Sequence, residues 1–141
     1  MGAMPEGWTL PEITPCNEAW FTSGSLAVQQ CTECATRQHP PEEICHVCGS
    51  MTFDHVTLAP RGTVASYTVI HYAAHPALAA VVPYTVVLVS LDDAPELRVV
   101  GDLEDGGDGG GVDIGMAVVP YWDERVADDG TVVRLPQWRR A

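Results

Sequence analysis

The chain has 141 residues, 46% of them hydrophobic, and a formal net charge of −12 from 19 acidic and seven basic side chains. That length holds one domain with a real core plus a small appended module, and a mean hydropathy of +0.04 excludes a disordered chain. No apolar run approaches the roughly 18 residues that span a bilayer, and an acidic surface with no basic groove repels the phosphate backbones on which nucleic-acid affinity rests.

Met1–Glu6 lacks the basic and apolar regions of a secretory signal. The expectation is a cytoplasmic protein that binds neither membrane nor nucleic acid. Residues 1–30 read as a lead segment. Within it Asn17–Thr22, preceded by Pro15 and closed by Gly24, is a short helical candidate. Leu26, Val28 and Gln30 then alternate as a short strand running into Cys31. Residues 31–55 carry four cysteines in two pairs, with Pro40–Pro41 between them.

Residues 56–141 read as β structure. Gly62–His71 is β-branched and alternating, and Tyr84–Leu91 is apolar enough to be buried on both faces. Glu96–Val100, Met116–Glu124 and Thr131–Leu135 complete five strands. Asp129–Gly130 is a hairpin signal, and Pro120 puts its strand at an edge or a bulge. Without a helix long enough for a parallel crossover, the prediction is a mainly β protein: a short helix and a cysteine module, then a small antiparallel barrel. The OB-fold is the five-stranded option, and strand period alone leaves a sandwich open.

The cysteine spacing is C-x2-C-x10-C-x2-C, formed by Cys31, Cys34, Cys45 and Cys48. Each pair can bend into a knuckle that presents two sulfurs from one side, and two knuckles complete a tetrahedron around Zn2+. Gly49 suits the turn that such a knuckle needs, whereas the first pair is followed by Ala35. Disulfides are disfavoured because nothing marks secretion, and a thioredoxin-like site needs one such pair beside a βαβ unit. Iron and reduced or redox-active thiols stay open as minor readings. Four protein ligands leave no position for water, so the metal would be structural. His46, inside the second knuckle, reads as an exposed knuckle residue, and Cys16 as a small apolar one.

Three further features invite chemistry. His71 and His75 stand four apart, but Pro76 argues against the helix that would align them, so they read as satisfied or exposed histidines. The Asp102–Asp113 run puts Gly106 where an EF-hand requires a ligand, and it reads as a mobile, solvated loop. The connection His71–Pro83 is unusually apolar for a loop, so either something covers it or it caps one end of the barrel.

Ala19–Trp20–Phe21, Leu26 with Gln29–Gln30–Cys31–Thr32–Glu33–Cys34, Pro40–Pro41, Cys45–His46–Val47–Cys48–Gly49–Ser50, and Arg61–Gly62–Thr63–Val64 followed by Tyr67–Thr68 and Pro83–Tyr84 occur here in one order. Together they resemble the domain-of-unknown-function-35 family, a rubredoxin-like zinc ribbon followed by an acyl-CoA-associated OB-fold. The resemblance runs from about Pro11 to the C-terminus. His46 stands where the family often has proline, and the Asp102–Asp113 loop is longer than usual.

The resemblance implies a non-catalytic, zinc-binding accessory subunit that docks on a thiolase-like enzyme: a thiolase, an acyl-condensing synthase or a steroid side-chain aldolase. In that hetero-oligomer the partner supplies the nucleophile and the acid and base, and this chain helps form the site for a coenzyme A thioester. Contacts to partner or acyl-CoA are then expected from Leu78, Val82, His71 and His75 in the apolar connection. Trp20 and Phe21 on the lead helix, and Arg61 toward a coenzyme A phosphate, join them. The alternative is an OB-fold module for single-stranded nucleic acid with Tyr67, Tyr72 and Tyr121 stacking on bases, which the acidic charge disfavours. An independent hydrolase or acyltransferase needs a nucleophile–base pair that the sequence does not present.

Overall fold

The β-branched, alternating runs fold into eight strands, with one short α-helix before them, in a computed structural model that describes residues 4–141. Positions 1–3 of the lead segment, and with them part of the stretch read for a secretory signal, lie outside the described residues. Helix α1 (Glu18–Thr22) stops one turn on, where Gly24 takes a φ of +66° that a side chain would resist.

Strand β1 (Leu26–Cys31) is the centre of a three-stranded antiparallel sheet, flanked by β2 (Arg37–Gln38) and β3 (Phe53–Leu58). Four consecutive residues, Leu26 to Gln29, are buried, so both faces of β1 are covered. The strand of the lead segment therefore lies inside the sheet that carries the cysteines.

The second sheet holds β4 (Gly62–Ile70), β5 (Tyr84–Leu91), β6 (Ala94–Asp102), β7 (Ala117–Val126) and β8 (Val132–Arg140), in the order β6-β5-β4-β7-β8. Every pair of neighbours is antiparallel. The sheet curls until its two edges meet: Leu103 and Trp138 form a parallel bridge, and Glu104 N donates to Trp138 O at 2.8 Å. Asp102 N donates to Gln137 Oε1 at 2.7 Å beside it. Five strands closed in this manner make the partly open barrel of the OB type.

Local chemistry explains the joins. A Cβ on Gly62 would stand 2.5 Å from both Ser90 O and Val89 Cγ1, so only glycine lets β4 close on β5 there. Along β5, Thr85, Val87, Val89 and Leu91 point into the core, whereas the alternate residues are half-buried. The expected burial on both faces is thus only partial on the outer one. Strand β7 pairs with β4 only at Ala117 and Val118, so Pro120 sits where that edge has no ladder to break. Gly130, with φ +87°, turns β7 into β8. β8 continues through Pro136 to Arg140 because its far edge has no strand partner until Trp138.

One core joins the two sheets. Trp20, Leu26, Val28 and Leu58 pack in a single cluster with Val64, Val87, Val89, Leu91, Val99, Val118 and Trp138. The Asp102–Asp113 run, expected as a mobile, solvated loop, exposes half of its residues but is anchored against the barrel end at a few of them. Leu103 and Val112 are buried, and Thr85 Oγ1 donates to the carbonyls of Gly106 and Gly107 at 3.2 and 3.1 Å. Gly107, Gly109 and Gly111, at φ +46°, +86° and +74°, permit the successive turns between those anchors. Among the described residues, no helix is long and apolar enough to cross a membrane.

Candidate metal centre

The two cysteine pairs adopt the same backbone turn. In the first, Ala35 N donates to Cys31 O at 3.0 Å and Cys31 N to Thr36 O at 2.9 Å. In the second, Gly49 N donates to Cys45 O at 3.0 Å and Cys45 N to Ser50 O at 2.8 Å. Both turns need a left-handed residue, supplied by Gly49 at φ +76° and, without glycine, by Ala35 at φ +62°.

Facing each other, the knuckles bring all four Sγ atoms within 4.8 Å of one another. Cys31 Sγ lies 3.5 Å from Cys48 Sγ, and Cys34 Sγ 3.6 Å from Cys45 Sγ. A Zn–S bond of about 2.3 Å in tetrahedral geometry sets a sulfur–sulfur edge of about 3.8 Å, so the four sulfurs fit zinc closely. All four cysteines are free of disulfides. The Thr36 hydroxyl, 3.1 Å from Cys34 Sγ, and then the Thr36 N–H hold that thiol at about 6. Cys31 is lowered too, chiefly by the Cys34 N–H. These hydrogen bonds favour the thiolate, the form that binds metal, at Cys34 and Cys31, whereas the neighbouring sulfurs oppose it at Cys48. The arrangement is a closed set of four thiols that fits a structural zinc.

A buried pair of glutamines, which the sequence reading did not single out, braces the chain between the knuckles. Gln29 Nε2 donates to Glu42 O at 2.7 Å, and Glu42 N donates to Gln29 Oε1 at 3.0 Å. Gln38 Nε2 donates to Gln29 Oε1 at 2.9 Å and to Ile44 O at 3.2 Å, while Gln38 Oε1 takes the N–H of His46 at 3.2 Å. His46 Nδ1 lies 2.8 Å from the same oxygen, so the knuckle histidine is engaged in the brace and stays out of the sulfur cluster. The available signal was an amide side chain in the run Leu26–Ala27–Val28 before Gln30 and Cys31, at a position of the strand that is buried.

The remaining candidates lie in three separate places. Trp20 is 4% exposed, and its indole is spent on His39, whose ring centroid is 4.3 Å away, and on the core. Phe21 beside it is half-buried and faces a groove of about 470 Å3 that also touches Pro40, Val100 and Leu135. His39 has its Nδ1 buried without a hydrogen-bond partner, and burial pushes its pKa down to about 4. His71, His75, Leu78 and Val82 share the connection from β4 to β5, where Pro76–Leu78 forms a short 3-10 turn. His75 Nδ1 accepts the Ala77 N–H at 3.1 Å, and the Trp8 ring packs edge-on against the imidazole at 5.1 Å. His71 and His75 are exposed, and Leu78 and Val82 half-buried. Arg61 is exposed and pairs loosely with Asp92, 3.8 Å away. It adjoins the Gly62–Leu91 end of the β4–β5 ladder, whereas the connection leaves the Ile70–Tyr84 end. Eight strand steps put these ends about 26 Å apart, so Arg61 and the connection are not one compact site.

Two family models match the chain: the ChsH2 rubredoxin-like zinc ribbon domain over residues 22–54 and the ChsH2 C-terminal OB-fold domain over residues 55–123. A solved structure titled Ltp2-ChsH2(DUF35) aldolase superposes with a TM-score of 0.72 at 37% identity, covering 93% of this chain and 98% of the matched one. A DUF35-family protein of unknown function from Sulfolobus solfataricus shares the fold, with a TM-score of 0.52 at 16% identity over 90% of this chain and 86% of its own. Among curated proteins, a probable enoyl-CoA hydratase alpha subunit from Thermomonospora curvata is 39% identical over 119 residues, or 81% of this chain. The chain spans about a third (35%) of that relative's length.

Proposed function

The chain belongs to the ChsH2 (DUF35) family of zinc ribbons joined to OB-folds, and on that premise we propose that it is the accessory subunit of an acyl-CoA-processing, thiolase-like enzyme. The observation that carries the reading is the match along nearly the whole of both chains to a structure of an aldolase that pairs Ltp2 with ChsH2. The relative named as an enoyl-CoA hydratase subunit favours the same thioester chemistry. In this reading the partner supplies the nucleophile and the acid and base. The zinc site then has no part in the reaction and fixes the ribbon against the barrel, with which it shares a core.

The contact with the partner is assigned to the connection between β4 and β5. Leu78 and Val82 offer apolar surface there, flanked by His71, Tyr72 and His75, with Trp8 braced on His75. Phe21, backed by the buried Trp20, and Arg61 lie apart from it and are secondary candidates for the coenzyme A thioester or the partner. Residues 31–55, together with β1 of the lead segment, form the ribbon unit of this reading and residues 56–141 the barrel unit, and the compartment is the cytoplasm.

The test is co-expression with the Ltp2 homologue of the same genome. The pair should co-purify, and carbon–carbon cleavage or condensation of an acyl-CoA should require both chains. Leu78→Ser with Val82→Ser should abolish co-purification and leave the circular dichroism of the isolated chain unchanged. Unchanged association sinks the assignment of the contact. Tight oligonucleotide binding at physiological salt, with no association of the wild-type pair, overturns the function itself.

A further inference from the structure

The second cysteine knuckle exposes apolar side chains that the zinc site does not use. Ile44, Val47 and Met51 are 53%, 63% and 68% exposed. Ile44 and Met51 flank the turn closed by Cys45 N and Ser50 O, and Val47 lies at its tip. Met51 also opens onto a cleft of about 380 Å3, which it shares with Phe53, Glu43 and Cys16. Three of the nine exposed large apolar side chains among the described residues fall on this one turn, and clustered ones mark an interaction site more often than scattered ones do.

Apart from one arginine, the charge in the stretch of chain that carries this face is acidic, and Glu43 lines the same cleft as Met51. Glu33, Glu42, Glu43 and Asp54 are all exposed. Residues 22–58 contain one arginine and no lysine. That arginine, Arg37, is engaged elsewhere: its Nη1 donates to Asp93 O and its Nε to Gln30 Oε1, both at 3.4 Å.

We propose that this knuckle face is a docking surface for a protein partner that offers an apolar recess rimmed by arginine or lysine. The charge selects that occupant over the others. A second copy of the chain would bring the same acidic rim against itself, which costs an isologous contact its electrostatic complementarity. Nucleic acid and anionic lipid are repelled by the same carboxylates. Only in taking the partner to be the acyl-CoA enzyme does the inference rest on the functional reading above. It then adds a contact that is separate in the chain from the connection at Leu78 and Val82.

The experiment measures the affinity of the full chain for the Ltp2 homologue of the same genome by calorimetry, at low and at high salt. Wild-type affinity should fall as salt rises, because the rim charges steer and hold the partner. Ile44→Ser with Met51→Ser should weaken binding at least tenfold with the salt dependence kept. Glu42→Arg with Glu43→Arg should weaken it at least tenfold and flatten the salt dependence. Ile114→Ser, at a residue 70% exposed just after the Asp/Gly run, should change nothing. Zinc content and circular dichroism, equal in the wild type and all three variants, separate a lost contact from a lost fold. Wild-type binding that survives both knuckle variants overturns this surface and leaves the functional reading standing. Self-association that the knuckle variants remove, with partner affinity unchanged, also overturns it. Failure of the wild-type chain to bind the homologue at all overturns both.

Discussion

Ala35 and Gly49 hold equivalent positions in the two cysteine knuckles: each donates its N–H to the first cysteine of its pair at 3.0 Å, at φ +62° and +76°. The turn dictates this backbone whatever the sequence supplies. For an L-residue with a Cβ, the left-handed conformation costs about 1 kcal/mol or more. Ala35→Gly should therefore stabilise the zinc-loaded protein by about 1 kcal/mol, and Gly49→Ala should destabilise it by a similar amount. Urea denaturation checks both: the midpoints should move in opposite directions at constant slope. A destabilised Ala35→Gly would show that the turn is not under strain.

Metal removal tests how the ribbon and barrel are coupled. Trp20, Leu26, Val28 and Leu58 lie in the same apolar cluster as the barrel's Val87, Leu91 and Trp138. Loss of zinc should therefore loosen both parts together. Chelation, or Cys45→Ser, should lower a single calorimetric transition, with a loss on the order of 3 kcal/mol or more. Zinc should be one equivalent in the wild type and well below one in the variant. Two separated transitions, with the upper one unmoved by chelator, would show instead that the barrel folds independently of the ribbon.

Most of this architecture is legible in the sequence because it depends on local rules. The two C-x-x-C pairs converge into one sulfur cluster, and the alternating runs become strands, with Tyr84–Leu91 matched end to end. What escapes is whatever depends on an encounter across the fold. Gln29 and Gln38 look like ordinary polar residues until strand pairing places them beneath the chain from Glu42 to His46. Arg125 shows no role in sequence, yet it donates to the carbonyls of Met4 and Pro5 at 2.9 and 3.1 Å, some 120 residues away. The Asp/Gly run reads as solvated because composition averages over it, whereas Leu103, Val112 and Thr85 decide its placement.

Gly101 and Trp138 close the barrel, and their fit predicts a coupled pair of substitutions. A Cβ on Gly101 would stand 2.7 Å from Trp138 Cδ1, and that indole is fully buried. Gly101→Ala should cost about 2 kcal/mol, since an overpacked site must shift backbone or ring. Trp138→Phe alone should also destabilise, by leaving a void. Combined, the two should cost less than the sum of the singles, because the smaller ring yields the room the methyl needs. Thermal denaturation of the four proteins gives the coupling, and strict additivity would mean that the steric conflict is relieved elsewhere.

His39 should make stability depend on pH in a defined direction. Burial holds its folded-state pKa at about 4, against 6.5 for the free side chain. Between those values the unfolded chain binds the proton and the folded one does not. Stability is therefore complete above about pH 6.5 and declines as the pH falls toward 4, by roughly 1–2 kcal/mol between pH 7 and pH 5. His39→Phe keeps an aromatic ring against Trp20, removes the titrating group and relieves the unpartnered Nδ1. Thiolate protonation and zinc loss also destabilise the protein in acid, so the comparison belongs between pH 5 and pH 7 with zinc in excess. There the wild type should lose stability with falling pH more steeply than the variant, in urea titrations at each pH. Parallel curves for the two proteins would show that His39 is accessible enough to protonate in the folded state and that the acid sensitivity belongs to the thiolates alone.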